Sequence, residues 1–241
     1  MDDLKNYNLD FPLSIVIGLY NKEKDIVNTI NRIFHNIISP KVQLIIIDNE
    51  SQDNSYNLVK ALKKKLIRQN FELILLQSKK GLGIAIREGL KFVKCEYIYI
   101  LPADLGAGFS ELEYLTKNKI KYFEFLLGSK SHKDSKMNRR ISRKLYSKLL
   151  NILQRSILKI KHNDTQGSML FSKRIIENEQ LISKNFLITT EIVLLAKIKN
   201  FQIIEVPLFE IEQFSKSTVK PIRDGTKMIF DLFILRKNYI S

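Results

Sequence analysis

The chain has 241 residues, 44% apolar and 27% charged, the composition of a globular protein with room for one large buried core. One cysteine, Cys95, excludes an internal disulfide and reads as a small buried hydrophobe in a reducing compartment. The longest apolar run, Met228 to Leu235, is interrupted by Asp231 and falls far short of the roughly 20 residues that span a bilayer.

The polar, acidic opening from Met1 to Asp10 does not read as a signal peptide, so the expected location is cytoplasmic. The net charge of +15 is concentrated: residues 130–161 hold eleven Lys or Arg against the single acid Asp134. An anionic partner is implied, whether nucleic acid, a membrane face or a phosphorylated substrate. Tyr146 is the only aromatic residue in that segment, which argues against single-stranded nucleic acid, where bases stack on interleaved rings.

In chain order, Leu13–Leu19 is a β-branched run that reads as a strand covered on both faces, followed by a helix with Ile26, Ile30, Ile33, Phe34 and Ile37 spacing. A second buried strand, 42–47, ends in Asp48-Asn49-Glu50-Ser51, and its helix carries Tyr56, Val59, Leu62 and Leu66. The third strand is 71–77, after which Gly81-Leu82-Gly83 opens a helix through Ile86, Leu90 and Val93. The fourth, 96–101, stops at Pro102 and presents Asp104. Strand–helix alternation of this kind predicts right-handed crossovers and an α/β, mostly parallel sheet, whose ligand sites lie beyond the strands' carboxyl ends.

The second half predicts a helix over 111–119, a strand over 122–127 and a polar loop over 128–138. A basic amphipathic helix follows over 139–158, with Ile141, Leu145, Leu149, Ile152 and Leu153 as its apolar stripe and Arg140, Arg143, Lys144 and Ser147 opposite. Then come a strand over 168–171, a helix over 190–199, a strand over 202–206 stopped by Pro207, and an amphipathic helix over 224–236.

The loops that interrupt these elements carry motifs in a recognisable order: Tyr20-Asn21-Lys22-Glu23, Asp48-Asn49-Glu50-Ser51-Gln52-Asp53, and Lys79-Lys80-Gly81-Leu82-Gly83 running on to Ala85, Arg87 and Gly89. After them stand Pro102-Ala103-Asp104-Leu105, Gly128-Ser129-Lys130, Arg139-Arg140-Ile141-Ser142-Arg143, Asp164-Thr165-Gln166, and Glu191 on a later helix. From about Leu13 to Arg236 the chain resembles the family 2 glycosyltransferases of GT-A fold, and most closely the dolichol-phosphate mannosyltransferase-like, polyprenyl-phosphate branch. The resemblance implies a Rossmann-like GT-A domain over 11–210, with a C-terminal loop and amphipathic helix over 211–241 packing on or beside it.

It also implies the chemistry. A nucleotide-sugar donor would be held by Tyr20, Glu23, Asp48, Asn49, Gly81, Gly83, Arg87, Ala103 and Asp104; glycines at a helix start allow close approach of phosphate. Asp104 would hold a divalent metal, Mg²⁺ or Mn²⁺, bound weakly until the donor adds its own oxygens. Asp104, Arg139, Arg143 and Glu191 are the expected catalytic residues. Lys130, Arg139, Ser142, Arg143 and Lys216 would hold the phosphate of a lipid acceptor, a polyprenyl phosphate at the cytoplasmic membrane face. Such an acceptor is already anionic and needs cations rather than a base. A saccharide hydroxyl acceptor, as in surface-polysaccharide synthesis, would need Glu191 or Asp164 as general base. An anionic membrane surface is an expected partner, a separate membrane-anchoring subunit is left open, and nucleic acid is not expected.

The chain departs from the family pattern at four positions near the donor: Pro102 replaces the first Asp of D-x-D, Lys22 a glutamate, Asn49 an aspartate, and Gly106 a glutamine. The 164–166 segment is also one residue shorter than usual before Leu170. Three outcomes fit: cations partly replacing the metal, an altered donor, or a sugar-nucleotide-binding fold kept without turnover.

Overall fold

The structure, a computed structural model, describes residues 5–136, 141–162, 164–209 and 221–240, with side chains described outside 141–148 and 221–227. Among the described residues nine strands and seven α-helices follow one another as β1 (Tyr7–Asn8), β2 (Leu13–Leu19), α1 (Ile26–Asn36), β3 (Ile37–Ile38), β4 (Val42–Asp48), α2 (Ser55–Lys65), β5 (Phe71–Gln77), α3 (Leu82–Leu90), β6 (Tyr97–Ile100), α4 (Ser110–Asn118), β7 (Phe125–Ser129), α5 (Ile141–Leu158), β8 (Met169–Ser172), α6 (Ile188–Ile198), β9 (Ile203–Pro207) and α7 (Pro221–Tyr239).

Seven strands form one sheet in the order β5-β4-β2-β6-β8-β7-β9, parallel except for β8, which runs antiparallel to both its neighbours. Strands β2 and β4 are apolar without alternation because helices cover both faces of the sheet. Ile26, Ile30 and Ile33 of α1, Val59 of α2 and Leu112 of α4 fill one core layer. Ile86 of α3, Leu158 of α5, Ile192 of α6 and Leu232 of α7 fill the other. Each fully buried Ile or Leu contributes about 2 kcal/mol relative to exposure.

Some expectations shift. The strand expected from Tyr122 begins at Phe125 and takes in Gly128 and Ser129, while Tyr122 is exposed. Pro207 is the last residue of β9 rather than the stop after it, at the end of an edge strand, where proline is tolerated. The small β1–β3 ladder leaves no mark in the sequence, since two-residue strands carry no periodicity.

Helix α5 is rotated from the expected stripe: Leu149 and Ile152 are exposed, whereas Leu150, Gln154, Ile157 and Leu158 are buried. Among the described residues no helix is long and apolar enough to cross a membrane. Cys95 is a buried free thiol.

The register places the chemistry. From β2 the chain steps outward through β4 to β5, then returns to the other side of β2 at β6. That reversal is a topological switch point, where open α/β sheets bind ligands beyond the carboxyl ends of their strands. Leu19 is level with Asp48, and Asp48 with Gln77. Ile100 is level with Met169, the first residue of antiparallel β8, and Leu127 is also level with Met169. The loops carrying Tyr20, Asp48, Gly81, Asp104, Lys130 and Asp164 therefore all open on one edge of the sheet.

Candidate active site

The loops after β2 and β6 straddle the switch point, and they are tied together. Lys22 Nζ stands 2.7 Å from Asp104 Oδ2, with Asp25 Oδ2 3.8 Å away on the other side. The main chain fixes both partners. Lys22 N–H donates to Ser55 Oγ at 2.8 Å, and its carbonyl accepts the Asp25 and Ile26 N–H groups at the start of α1. The Asp104 turn is closed by Leu105 N–H on the Pro102 carbonyl, and Thr29 Oγ1 of α1 donates to the Ala103 carbonyl at 2.9 Å. With the Lys22 ammonium already held between the two carboxylates of the cluster, Asp104 and Asp25, and Pro102 offering no third, the site does not fit the divalent metal that the resemblance implies. Among the described residues no three His, Cys, Asp or Glu side chains are grouped to hold a metal ion.

Asp48 closes β4 and is buried; Ser51 N–H donates to its Oδ2 at 3.4 Å, and Oδ1 has no hydrogen-bond partner among the described residues. A buried carboxylate oxygen left unpaired is costly, and an N–H or hydroxyl of an incoming ligand removes that cost. Across the mouth, Tyr20 Oη accepts a hydrogen bond from Lys80 Nζ at 3.0 Å, which brings a cation from the glycine loop to the same edge.

Several expected donor contacts turn out to be occupied by the protein itself. Asn49 Oδ1 accepts the Gly81 N–H at 2.7 Å, and Glu23 Oε2 accepts the Asn54 N–H at the start of α2. Gly81 (φ +139°) and Gly83 are required by close packing on the chain. A Cβ on Gly81 would lie 2.5 Å from the Lys184 carbonyl oxygen, and one on Gly83 would lie 2.4 Å from that of Ser183. Arg87 reaches the carbonyl of Ile182 in the same segment, at 3.5 Å.

Glu191 holds that segment in place. Fully buried in α6, it accepts the Ile182 N–H at 2.7 Å on Oε1 and the Ser183 N–H at 2.8 Å on Oε2, and Tyr239 Oη of α7 donates to Oε1 at 2.7 Å. Burial and the adjoining carboxylate push the Tyr239 phenol well up from its usual range. An acid so enclosed anchors the 182–183 segment to α6 and α7.

Asp164 is spent similarly. Its Oδ2 accepts the Lys130 N–H and its Oδ1 the Gln166 N–H, each at 3.0 Å, while Lys130 Nζ donates to the Gln166 carbonyl at 3.2 Å. Next to this knot, Ser129 Oγ and Gln166 Nε2 are buried without hydrogen-bond partners among the described residues. Arg139, Arg140, Lys216 and the flanking Ser215 and Ser217 lie outside the described residues, as do the side chains of Ser142, Arg143 and Lys144.

Sequence reasoning missed Glu111. This α4 acid is fully buried, with Tyr99 Oη and Ser168 Oγ donating to its two oxygens, and burial raises its carboxyl above the ordinary range. The acid-bearing first turn of a helix looks like a solvated end, so nothing local marks it.

This arrangement can be set against known proteins. The family model described as glycosyl transferase family 2 matches residues 14–179. A dolichyl-phosphate beta-glucosyltransferase of Saccharomyces cerevisiae is 26% identical over 253 residues, covering 95% of this chain and 75% of the relative. An undecaprenyl-phosphate 4-deoxy-4-formamido-L-arabinose transferase of Shewanella sediminis is 29% identical over 147 residues, covering 60% of this chain and 44% of that protein, so the chain spans under half of that relative's length. Among solved structures, glucosyl-3-phosphoglycerate synthase of Mycobacterium tuberculosis in complex with Mn²⁺, UDP and phosphoglyceric acid superposes with a TM-score of 0.65 at 12% identity, covering 95% of this chain and 78% of that one. The fold is thus the α/β GT-A fold, and structures of that synthase have been solved with UDP and Mn²⁺ or Mg²⁺. With the matched segment running from β2 past β8 and through the whole strand-edge site, the chain belongs to glycosyl transferase family 2.

Proposed function

We propose that the chain transfers a sugar from a nucleotide-diphospho-sugar to a polyprenyl phosphate at the cytoplasmic face of a membrane. The observation that carries this reading is the state of the two acids a hydroxyl acceptor would need. Glu191 and Asp164 each accept two backbone N–H groups and so serve to hold the main chain, which supports an acceptor that needs no base. A phosphate monoester near neutral pH already presents an anionic oxygen, so no base has to take a proton from the attacking atom. Its oxygen bonds to the anomeric carbon, the bond from that carbon to the β-phosphate oxygen breaks, and that oxygen leaves with the electron pair. The work left to the protein is to hold two repelling anions together with cations.

In this reading Asp48 Oδ1 receives the donor's nucleoside and Tyr20 flanks it. Lys22 and Lys80 face the diphosphate, and Lys130, Arg139, Ser142, Arg143 and Lys216 gather the acceptor phosphate. The polyprenyl-phosphate relatives support that acceptor by name. Membrane association is supported by Leu149 and Ile152 on α5 and by Phe230 and Phe233 on α7, apolar side chains left exposed on helices that also expose Arg155, Arg236 and Lys237. We place the transferase domain over 11–210, with 211–241 as its C-terminal extension, and leave a membrane-anchoring subunit as a further partner.

The test is nucleoside diphosphate release from a panel of UDP- and GDP-sugars, with polyprenyl phosphate or free saccharides as acceptor. Release that depends on the polyprenyl phosphate supports the reading; release driven by a saccharide overturns it.

A further inference from the structure

We infer that Lys22 is the diphosphate-binding cation of this site, its ammonium doing the work of a divalent metal, so that nucleotide binding by this chain does not depend on metal. The inference rests on the nucleotide-sugar reading above and concerns how the same site holds its donor.

Geometry comes first. Lys22 and Asp104 are 82 positions apart in sequence, yet the loops after β2 and β6 bring Nζ and Oδ2 to 2.7 Å at the switch point. Both side chains are largely enclosed, at 9% and 18% exposure. A cation entering at Asp104 has to displace an ammonium from a mostly desolvated pair, and breaking such a pair is far costlier than breaking one in water. It would gain little in return. Mg²⁺ takes six oxygens in a near-octahedral shell, and Pro102 offers no side-chain oxygen beside Asp104.

Charge makes the same point. A site with glutamate at position 22 and aspartate at 102 and 104 carries three negative charges, which a divalent metal offsets before the diphosphate adds its own. Here Lys22, Pro102 and Asp104 sum to zero, a change of three units towards positive at those positions, and Asp25 beside the ammonium brings the whole cluster to a single negative charge. The cation that the donor needs is therefore built into the chain. Asp104 becomes a positioning residue that aims the ammonium, and the main-chain bonds of Lys22 to Ser55, Asp25 and Ile26 hold its backbone in place before any ligand arrives. Lys80, hydrogen-bonded to Tyr20 at the same edge, adds a second positive charge.

The test is calorimetric binding of UDP and GDP to the full chain, in EDTA and in excess Mn²⁺. Whichever nucleotide binds should do so with affinities agreeing within about twofold in the two buffers, since an ammonium is no less charged in EDTA. Lys22→Ala should weaken binding in EDTA by about tenfold or more, the loss of one charge-assisted hydrogen bond. Lys22→Arg should retain most of it. Lys22→Glu combined with Pro102→Asp should convert the site to one that binds nucleotide only with Mn²⁺. Binding by the wild type that appears only with Mn²⁺ overturns this inference and leaves the transferase reading standing. No binding of either nucleotide in either buffer overturns both. Because the wild-type comparison decides by itself, a Lys22 variant that fails to fold does not protect the inference.

Discussion

Tyr239 Oη donates to Glu191 Oε1 at 2.7 Å, joining the last helix of the chain to the acid that fastens residues 182 and 183 against the glycine-rich start of α3. The contact makes α7 part of what shapes the donor edge. Tyr239→Phe should destabilise the protein by about 1–3 kcal/mol, the cost of a hydrogen bond to a buried charged group. Glu191→Ala, which strands two backbone N–H groups, should cost more. Urea unfolding measures both. If Glu191 were instead a general base, Glu191→Gln would abolish transfer with stability intact.

Gly83→Ala places a methyl 2.4 Å from the Ser183 carbonyl oxygen, which is backbone and cannot swing aside. The expected loss is about 1–3 kcal/mol, read as a lower melting temperature. An unchanged melting temperature would show that the 182–185 segment moves freely away from α3.

Asp48 offers a trade between stability and binding. Its Oδ1 is buried and unpaired among the described residues, so Asp48→Ala should leave the protein as stable or stabler. The same change should weaken nucleotide binding by about tenfold or more, if a ligand N–H or hydroxyl is the missing partner. Paired melting curves and titrations with UDP and GDP check it; equal affinity in the two proteins would remove Asp48 from the donor site.

Glu111 predicts a pH dependence. Burial holds its folded carboxyl above the ordinary glutamate range, against the opposing hydrogen bonds from Ser168 and Tyr99. Between the unfolded and the folded pKa the folded state binds more protons, so this contribution is complete below the ordinary value and is lost as pH rises through the folded one. Melting temperatures measured upward from about pH 4 should fall less steeply in Glu111→Gln than in the wild type. A steeper fall in the variant would contradict the sign.

The exposed apolar side chains of α5 and α7 predict binding to anionic vesicles. Phe230→Ser with Phe233→Ser should weaken vesicle binding about a hundredfold or more, at roughly 1.5–3 kcal/mol per buried Phe, read by cosedimentation. Loss of nucleotide binding in that pair of changes would point to misfolding instead.

How far the sequence spoke depended on whether a signal was local. Leu13–Leu19 and Phe71–Gln77 declare their strands through unbroken apolar runs, and the loop acids Asp48 and Asp104 follow directly from where those strands stop. The pairing of Lys22 with Asp104 was not legible, because it depends on β6 returning beside β2. Lys22 appeared only as a missing acid. Gly81 and Gly83 read in the sequence as room for phosphate, and a backbone segment about a hundred residues downstream, packed against both, gives them a second reason that only the fold reveals. In α5 the period was right and the phase wrong: apolar residues on neighbouring stripes leave the buried face undetermined until α7 packs against it.

The most direct measurement is of the product. Purified protein given a labelled nucleotide-sugar and a polyprenyl phosphate should move label into the organic phase, as a lipid one sugar heavier than the acceptor by mass spectrometry. Label that stays aqueous with every donor, or that passes to a saccharide without the lipid, would contradict the account.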